Sequence, residues 1–435
     1  MSDRPADLAK SFVPSVLSPS LGASRSVNQA ISASMLLQLL EALRSTSSCP
    51  VEPNSVAAAI AEACRLWSDT QYDRRRRVIE AVCEKWGVSV QVLDESLGAL
   101  LKPFEPAALR SLAAKAPKAR LLLGIIAPGN VVGAGLHEIV QGLVAGASLA
   151  VKTSSSEPFF FPQFVRTVVE LEPSLGKKIA VLNWGREQRG LTETLLRTCN
   201  TVAAFGEDTT IEALVSAPDL LPFGTRFSGA LIALGDSYEL RAHRLEALAR
   251  ALARDVVLFE QRGCLSPHHV FVQSRNEQEA RDFASLLARM LDELQQSLPA
   301  PKRFDLDGAA AVRAIREETR WRKLGGEPVE LWEGASFAYT VVFDRDSAFR
   351  ISPQHRTVYV SFLPEISQLD VRLAHVAGRL EAFALWVPES LSEKVKSKLR
   401  AHGVSYFCEP GQMQSPPVEW PHGGGQLLKR LGYSP

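Results

Sequence analysis

Of the side chains able to bond covalently to a substrate, Cys264 has the most suggestive surroundings. It stands in Glu260-Gln261-Arg262-Gly263-Cys264-Leu265-Ser266-Pro267, just ahead of the apolar run Val270 to Val272. A loop that feeds a strand in this way can aim a backbone N–H at the same point as the thiol, which is the geometry covalent acyl transfer needs. The plain alternative is a buried cysteine acting as a small hydrophobe. The polar residues before it and the Ser-Pro pair after it argue against that.

Two further segments carry groups of the right type. Asn130, in Pro128-Gly129-Asn130, could offer its amide to a developing oxyanion together with the Cys264 N–H, although a Pro-Gly-Asn triplet by itself is more often only a turn. Lys152 is followed by Thr153 and by Ser154, Ser155 and Ser156. A cation beside several hydroxyls suits a ribose or a phosphate, with a solvated strand end as the alternative.

Other candidates fall away. There is no G-x-G-x-x-G or G-x-x-x-x-G-K-[ST] loop, so a phosphate must be held in another way. His137-Glu138 opens like a zincin helix, but Gln141 stands where the second histidine belongs, and no metal site is expected. His422-Gly423-Gly424-Gly425 resembles an esterase oxyanion strip without any G-x-S-x-G elbow to serve, so it reads as a glycine-rich turn. His268 and His269 are adjacent on a strand and face opposite ways, so at most one could approach the cysteine. The run Arg74 to Arg77 lies within a helical pattern and reads as a solvated face or a subunit contact.

These residues need a scaffold, and the pattern supplies one. Helical periodicity begins near Ile31. After residue 115, short apolar runs at 121–127, 147–151, 178–182, 201–205 and 229–234 alternate with amphipathic stretches at 132–145, 158–170, 189–198 and 209–215. Strand and helix in alternation imply a doubly wound parallel sheet. Such sheets bind ligands at the carboxyl ends of their strands, where Pro128-Gly129-Asn130, Lys152 to Ser155 and Gly206-Glu207-Asp208 fall. A helix at 238–254 then leads to Cys264 and a second α/β domain, with strands at 270–272, 339–343, 357–362 and 384–387 and a helix at 371–382. The expected division is a helical segment over 1–115, a Rossmann-like cofactor domain over 116–235, a catalytic α/β domain over 236–405 and a C-terminal arm over 406–435.

Bulk composition excludes several classes. The 435 residues are 46% hydrophobic and 22% charged, with a net charge of +1, so no global field draws nucleic acid or a membrane surface. The six cysteines have no metal-site or disulfide spacing, which points to a reducing compartment. No signal peptide or membrane-length apolar run is visible. A cytoplasmic protein with small-molecule partners is expected.

The order strand, Pro-Gly-Asn, helix, strand ending in lysine, helix, strand, helix, Ala-Phe-Gly turn, and later Gly-Cys resembles the aldehyde dehydrogenase superfamily over about residues 115 to 275. Within it, Glu260 to Pro267, Ala127 to Asn130, Arg356-Thr357-Val358 and Trp420-Pro421-His422-Gly423 resemble the LuxC-type acyl-CoA reductases. The resemblance implies an aldehyde dehydrogenase-like α/β fold with Cys264 as the acyl-accepting nucleophile and Asn130 as an oxyanion donor. It also implies cofactor contacts from Pro128, Gly129, Lys152, Thr153, Ser155 and Gly206. Ser155 in place of a glutamate beside Lys152 favours NADPH over NADH. The superfamily's water-activating glutamate would fall at Ala233, favouring reduction of a thioester over oxidation of an aldehyde. The expected substrate is an acyl group carried on CoA or on a protein, and a homo-oligomer is expected.

Two other readings stay open on the sequence. One is an aldehyde dehydrogenase that releases acid using a base elsewhere in the chain. The other is an acyl-binding or scaffold protein without turnover.

Overall fold

The computed structural model describes residues 5–13, 31–214, 219–234, 242–301 and 304–433. The chain divides into two compact units: residues 1–85, 97–225 and 417–435 form the first, and residues 86–96 and 226–416 the second.

The first unit is built on a five-stranded sheet: β1 (Leu122–Ile126), β2 (Ser148–Thr153), β3 (Ile179–Asn183), β4 (Thr201–Phe205) and β5 (Leu220–Phe223). Their order is β3-β2-β1-β4-β5, and every pairing is parallel. Runs such as Leu-Leu-Gly-Ile-Ile in β1 are buried throughout, as expected of parallel strands covered on both faces. Helix Ala33–Thr46 places Leu36, Leu39, Leu40 and Leu43 in the cluster under this sheet, with Leu191, Leu195 and Leu196 of helix Arg189–Thr198. Arg75 departs from the expected solvated face: it is buried and donates to the Trp67 carbonyl at 2.9 Å.

The second unit holds a seven-stranded sheet: β6 (Phe227–Ala233), β7 (Pro267–Gln273), β8 (Val329–Glu333), β9 (Thr340–Asp344), β10 (Thr357–Leu363), β11 (Leu380–Trp386) and β12 (Tyr406–Cys408). The order is β12-β11-β6-β7-β10-β9-β8, parallel except for the β8–β9 pair. Helices Ala242–Val257 and Glu277–Leu294 belong to this unit.

Several sequence expectations need correction. The strand expected at 229–234 as the fifth of the first sheet is β6, which pairs with β7 and β11 in the second. The boundary therefore falls after Thr225, not at 235. The helix expected at 371–382 stops short, because Leu380 already belongs to β11. Residues 406–416 stay with the second unit while 417–435 join the first, so the tail is not one arm. β5, β8 and β12 were not anticipated. Gly235 and residues 238–241, the start of the expected 238–254 helix, lie outside the described residues, as does Val215.

Candidate active site

In the first sheet β1 lies between β2 and β4, with Ile126 opposite Lys152 on one side and Ala204 on the other. Pro128-Gly129-Asn130, Lys152 to Ser156 and Gly206 therefore leave the sheet at one edge, around the point where strand order reverses. Of the expected cofactor contacts, Pro128, Gly129, Lys152 and Gly206 are half-buried here and Ser155 is exposed, as is Asn130.

Gly129 closes against the serine turn. The Ser156 hydroxyl donates to its carbonyl at 2.9 Å and lies 2.8 Å from the Ser154 hydroxyl. A Cβ on Gly129 would come within 1.9 Å of Ser156 Oγ and 2.2 Å of Ser154 Oγ, so any side chain here would push the serine turn out of place. Thr153 has a different role from the one expected. It is buried, its hydroxyl donates to the Leu182 carbonyl at 3.2 Å and accepts from Asn183 Nδ2 at 2.9 Å, so it fastens β2 to β3. Ser155 is exposed, and its carbonyl accepts from Lys85 Nζ at 2.7 Å.

Lys152 is half-buried, and burial followed by the field of Arg186 holds its ammonium below the usual lysine range, with Glu187 opposing. Arg186 and Glu187, both exposed, follow β3 at the same edge, and the Glu187 carboxylate lies over Gly185. Two cations set close together with one carboxylate form a place where an added anion relieves like-charge repulsion. These two residues were missed on the sequence. The signal was available: Leu182 ends an expected strand at the ligand-binding edge, four residues before Arg186.

In the second unit Cys264 sits half-buried in a turn between a buried loop and β7. The Ser266 N–H donates to the Gly263 carbonyl at 3.0 Å, and the Ser228 hydroxyl donates to the Cys264 carbonyl at 2.6 Å. Behind it, Phe259, Glu260 and Gln261 are left-handed, with φ of 54°, 52° and 60°. Facing them, Gln354, His355 and Arg356 are left-handed too, with φ of 69°, 51° and 54°. Such backbone costs about 1–3 kcal/mol per non-glycine residue and persists only where surroundings over-determine it.

The surroundings do so here. Arg356 grips both Glu260 oxygens at 2.9 Å and donates to the carbonyls of Leu298 and Pro299. Gln261, fully buried, donates to the Pro267 and Thr357 carbonyls and accepts from the Thr357 N–H, each at 2.8 Å. Beside this loop Trp86, Val88, Val92, Leu93, Phe259 and Arg262 line a small apolar crevice.

Neither histidine after Cys264 serves as its base. His268 Nδ1 accepts from the Ser352 N–H at 3.1 Å and His269 Nδ1 from the Arg350 N–H at 2.9 Å, and both rings are buried. Burial pushes His268 down to about 4 and His269 well below the usual range. Both are neutral structural groups.

The assignment of Ala233 to the water-activating position is overturned by register. Ser228, at the start of β6, meets the Cys264 carbonyl and lies opposite Pro267, whereas Ala233 lies opposite Gln273 at the far end of β7. Five residues along a strand separate the two positions by roughly 16 Å, beyond the reach of any carboxylate. The carboxylate nearest in sequence, Glu260, has both oxygens engaged by Arg356.

The late Trp420-Pro421-His422-Gly423 segment packs within the first unit. The His422 ring lies 4.0 Å from that of Trp420 and 4.7 Å from that of Phe223, and its Nδ1 meets buried Glu138 at 2.9 Å. Gly423, Gly424 and Gly425 are all left-handed, which accounts for the glycine run as a turn.

The chain spans under three-fifths of the length of a curated relative it matches. That relative is a long-chain acyl-protein thioester reductase from Aliivibrio fischeri, 25% identical over 290 residues, or 65% of this chain and 57% of the relative. Among solved structures it resembles an oxidoreductase from Marinobacter aquaeolei, with a TM-score of 0.73 at 13% identity over 96% of this chain and 94% of that one. It also resembles aldehyde dehydrogenase 21 from Physcomitrella patens, with a TM-score of 0.67 at 9% identity over 92% and 89%. These likenesses give the aldehyde dehydrogenase fold. The family model for acyl-CoA reductase (LuxC) matches residues 91–433, and the chain belongs to that family.

Proposed function

We propose that this protein is an NADPH-dependent reductase that converts an acyl thioester to an aldehyde through a thioacyl group on Cys264. The observation that carries the reading is the half-buried Cys264 turn, with both flanking carbonyls hydrogen-bonded, in a member of this family. The Cys264 sulfur attacks the thioester carbon, and the carrier leaves as a thiol after taking a proton. The Cys264 N–H is the oxyanion donor on this unit. Asn130 as a second donor rests on the resemblance alone. When bound, the reduced nicotinamide would supply the hydride that the thioacyl carbon accepts. Cys264 then leaves that carbon as a thiolate, releasing the aldehyde.

Hydrolysis to an acid would need an activated water, and the engagement of Glu260 by Arg356 weighs against it as the base. The carrier is CoA or a protein-bound arm, the second being what the name of the Aliivibrio fischeri relative states for that protein. The fit to NADPH is supported by the Gly129 cradle and the Lys152–Arg186 pair. No helix among the described residues is long and apolar enough to cross a membrane. None of the six cysteines forms a disulfide, in keeping with a cytoplasmic setting. Exposed Trp321 and Leu324 favour self-association, which sedimentation tests.

Incubation with acyl-CoAs and with acyl-carrier protein, without cofactor, should add an acyl mass on Cys264. NADPH should then release it as aldehyde. Retained aldehyde formation by Cys264→Ala would refute the reading.

A further inference from the structure

Beyond the nucleophile itself, the turn around Cys264 raises the question of what fixes the orientation of its two peptide groups. The preceding peptide carries the Cys264 N–H, and its carbonyl, that of Gly263, is held by the Ser266 N–H at 3.0 Å. Because the peptide is trans, this bond turns the Cys264 N–H away from Ser266. The following peptide has its carbonyl held by the Ser228 hydroxyl at 2.6 Å.

Ser228 is fully buried at the start of β6, and its oxygen also accepts from the Ala382 N–H of β11 at 3.0 Å. A serine hydroxyl has one proton to donate. The Ala382 contact occupies an acceptor position, so the proton is committed to Cys264. Register between β6 and β11 shifts between Leu380 and Phe383, so the Ser228 oxygen serves the Ala382 N–H within that irregularity, while the regular pairing from Gly229 to Ile232 proceeds through the main chains alone. Register between β6 and β7 shifts between Ser228 and Gly229, which sets Ser228 opposite Pro267, just past the cysteine turn.

We propose that Ser228 is a positioning residue for acyl transfer, tying the Cys264 carbonyl to the buried start of β6 so that the cysteine turn, with its sulfur and N–H, is held in one place against the substrate carbonyl. The proposal rests on the reading of Cys264 as nucleophile. Without the hydroxyl, the turn loses its tie to β6, and sulfur and N–H together lose their placement against a bound thioester while the sulfur remains a thiol. Misalignment of this kind costs up to roughly 100-fold in rate.

The test compares two reactions of the same sulfur in the full-length protein. Alkylation by iodoacetamide needs no oxyanion donor, whereas acylation by an acyl-CoA does. Ser228→Ala should slow acylation, followed as thiol release in a single turnover, by roughly 10- to 100-fold. Its alkylation rate should stay within about twofold, and NADPH binding should be unchanged. Ser228→Thr keeps the hydroxyl and should restore acylation, while Ser228→Val, its isostere, should not. An unchanged acylation rate in Ser228→Ala overturns the proposal, as does a parallel fall in alkylation and acylation, which would mean a general structural role. Activity surviving in Cys264→Ala would instead remove the underlying assignment, whatever the serine variants do.

Discussion

Arg356 and Glu260, 96 residues apart in sequence, form a buried bidentate ion pair that joins two left-handed turns at the base of the cysteine loop. Burial pushes the Glu260 carboxyl above its usual range, and Arg356 offsets this only in part. Removing one partner leaves the other buried without compensation. Arg356→Met should therefore cost about 3–5 kcal/mol of stability, measured by urea unfolding. Adding Glu260→Gln to it should recover a large part of that loss. A double variant no more stable than the single one would contradict this account.

The cation pair at the end of β2 and β3 makes a prediction about cofactor choice. Arg186 is exposed, so its contribution is modest: Arg186→Ala should weaken binding of 2′,5′-ADP about fivefold and leave 5′-AMP unaffected. Glu187→Gln should act in the opposite direction by removing the one opposing charge. Calorimetric titration reads both, and equal effects on the two nucleotides would dismiss a 2′-phosphate contact.

Gly129 tests the same edge by shape. Gly129→Ala drives a methyl into the Ser154 and Ser156 hydroxyls, an overpacking worth about 1–3 kcal/mol. The turn is at the surface and can open, so the cost should appear as about tenfold weaker NADPH binding with a melting temperature within a few degrees of the parent. Unimpaired NADPH binding would place the cofactor elsewhere.

His268 gives stability a definite pH dependence. Its folded-state value, about 4, lies below the ordinary 6.5 because burial disfavours the imidazolium. The unfolded chain therefore binds the proton first as pH falls. The stability this group contributes is whole above pH 6.5 and is lost progressively down to about pH 4, amounting to about 3 kcal/mol. His268→Gln should flatten that part of the pH–stability curve. Identical slopes for parent and variant would show that other groups govern acid unfolding.

Much of this architecture is legible in the sequence because its parallel strands are continuous apolar runs. β1 to β4 and the loop before Cys264 could be placed from those runs and from where Pro-Gly and Gly-Cys interrupt them. β5 was hidden by its brevity and by Pro222. β8 carries Glu330 and Glu333 and is paired on one side only, so it lacks the apolar signature of its neighbours. The Ala233 assignment failed for a different reason: strand order along the chain does not reveal which sheet a strand enters. The β6–β7 register alone puts Ser228, and not Ala233, beside the cysteine. The Glu260–Arg356 and Ser228–Cys264 contacts join residues 96 and 36 apart, and no local pattern encodes them. Family likeness supplied the cysteine; only the fold supplied what holds it.

The return of Trp420 and His422 to the first unit bears on how the protein emerges from the ribosome. Glu138 is made 284 residues before its partner His422, and by then the whole second unit has been synthesised. The first unit must wait, with Phe205, Phe223 and the helix Leu136–Val144 lacking their cover, until residues 420 to 422 have been made. Domains usually fold as they appear, amino-terminal first; here the amino-terminal unit finishes last, and nascent chains halted before residue 420 should engage chaperones.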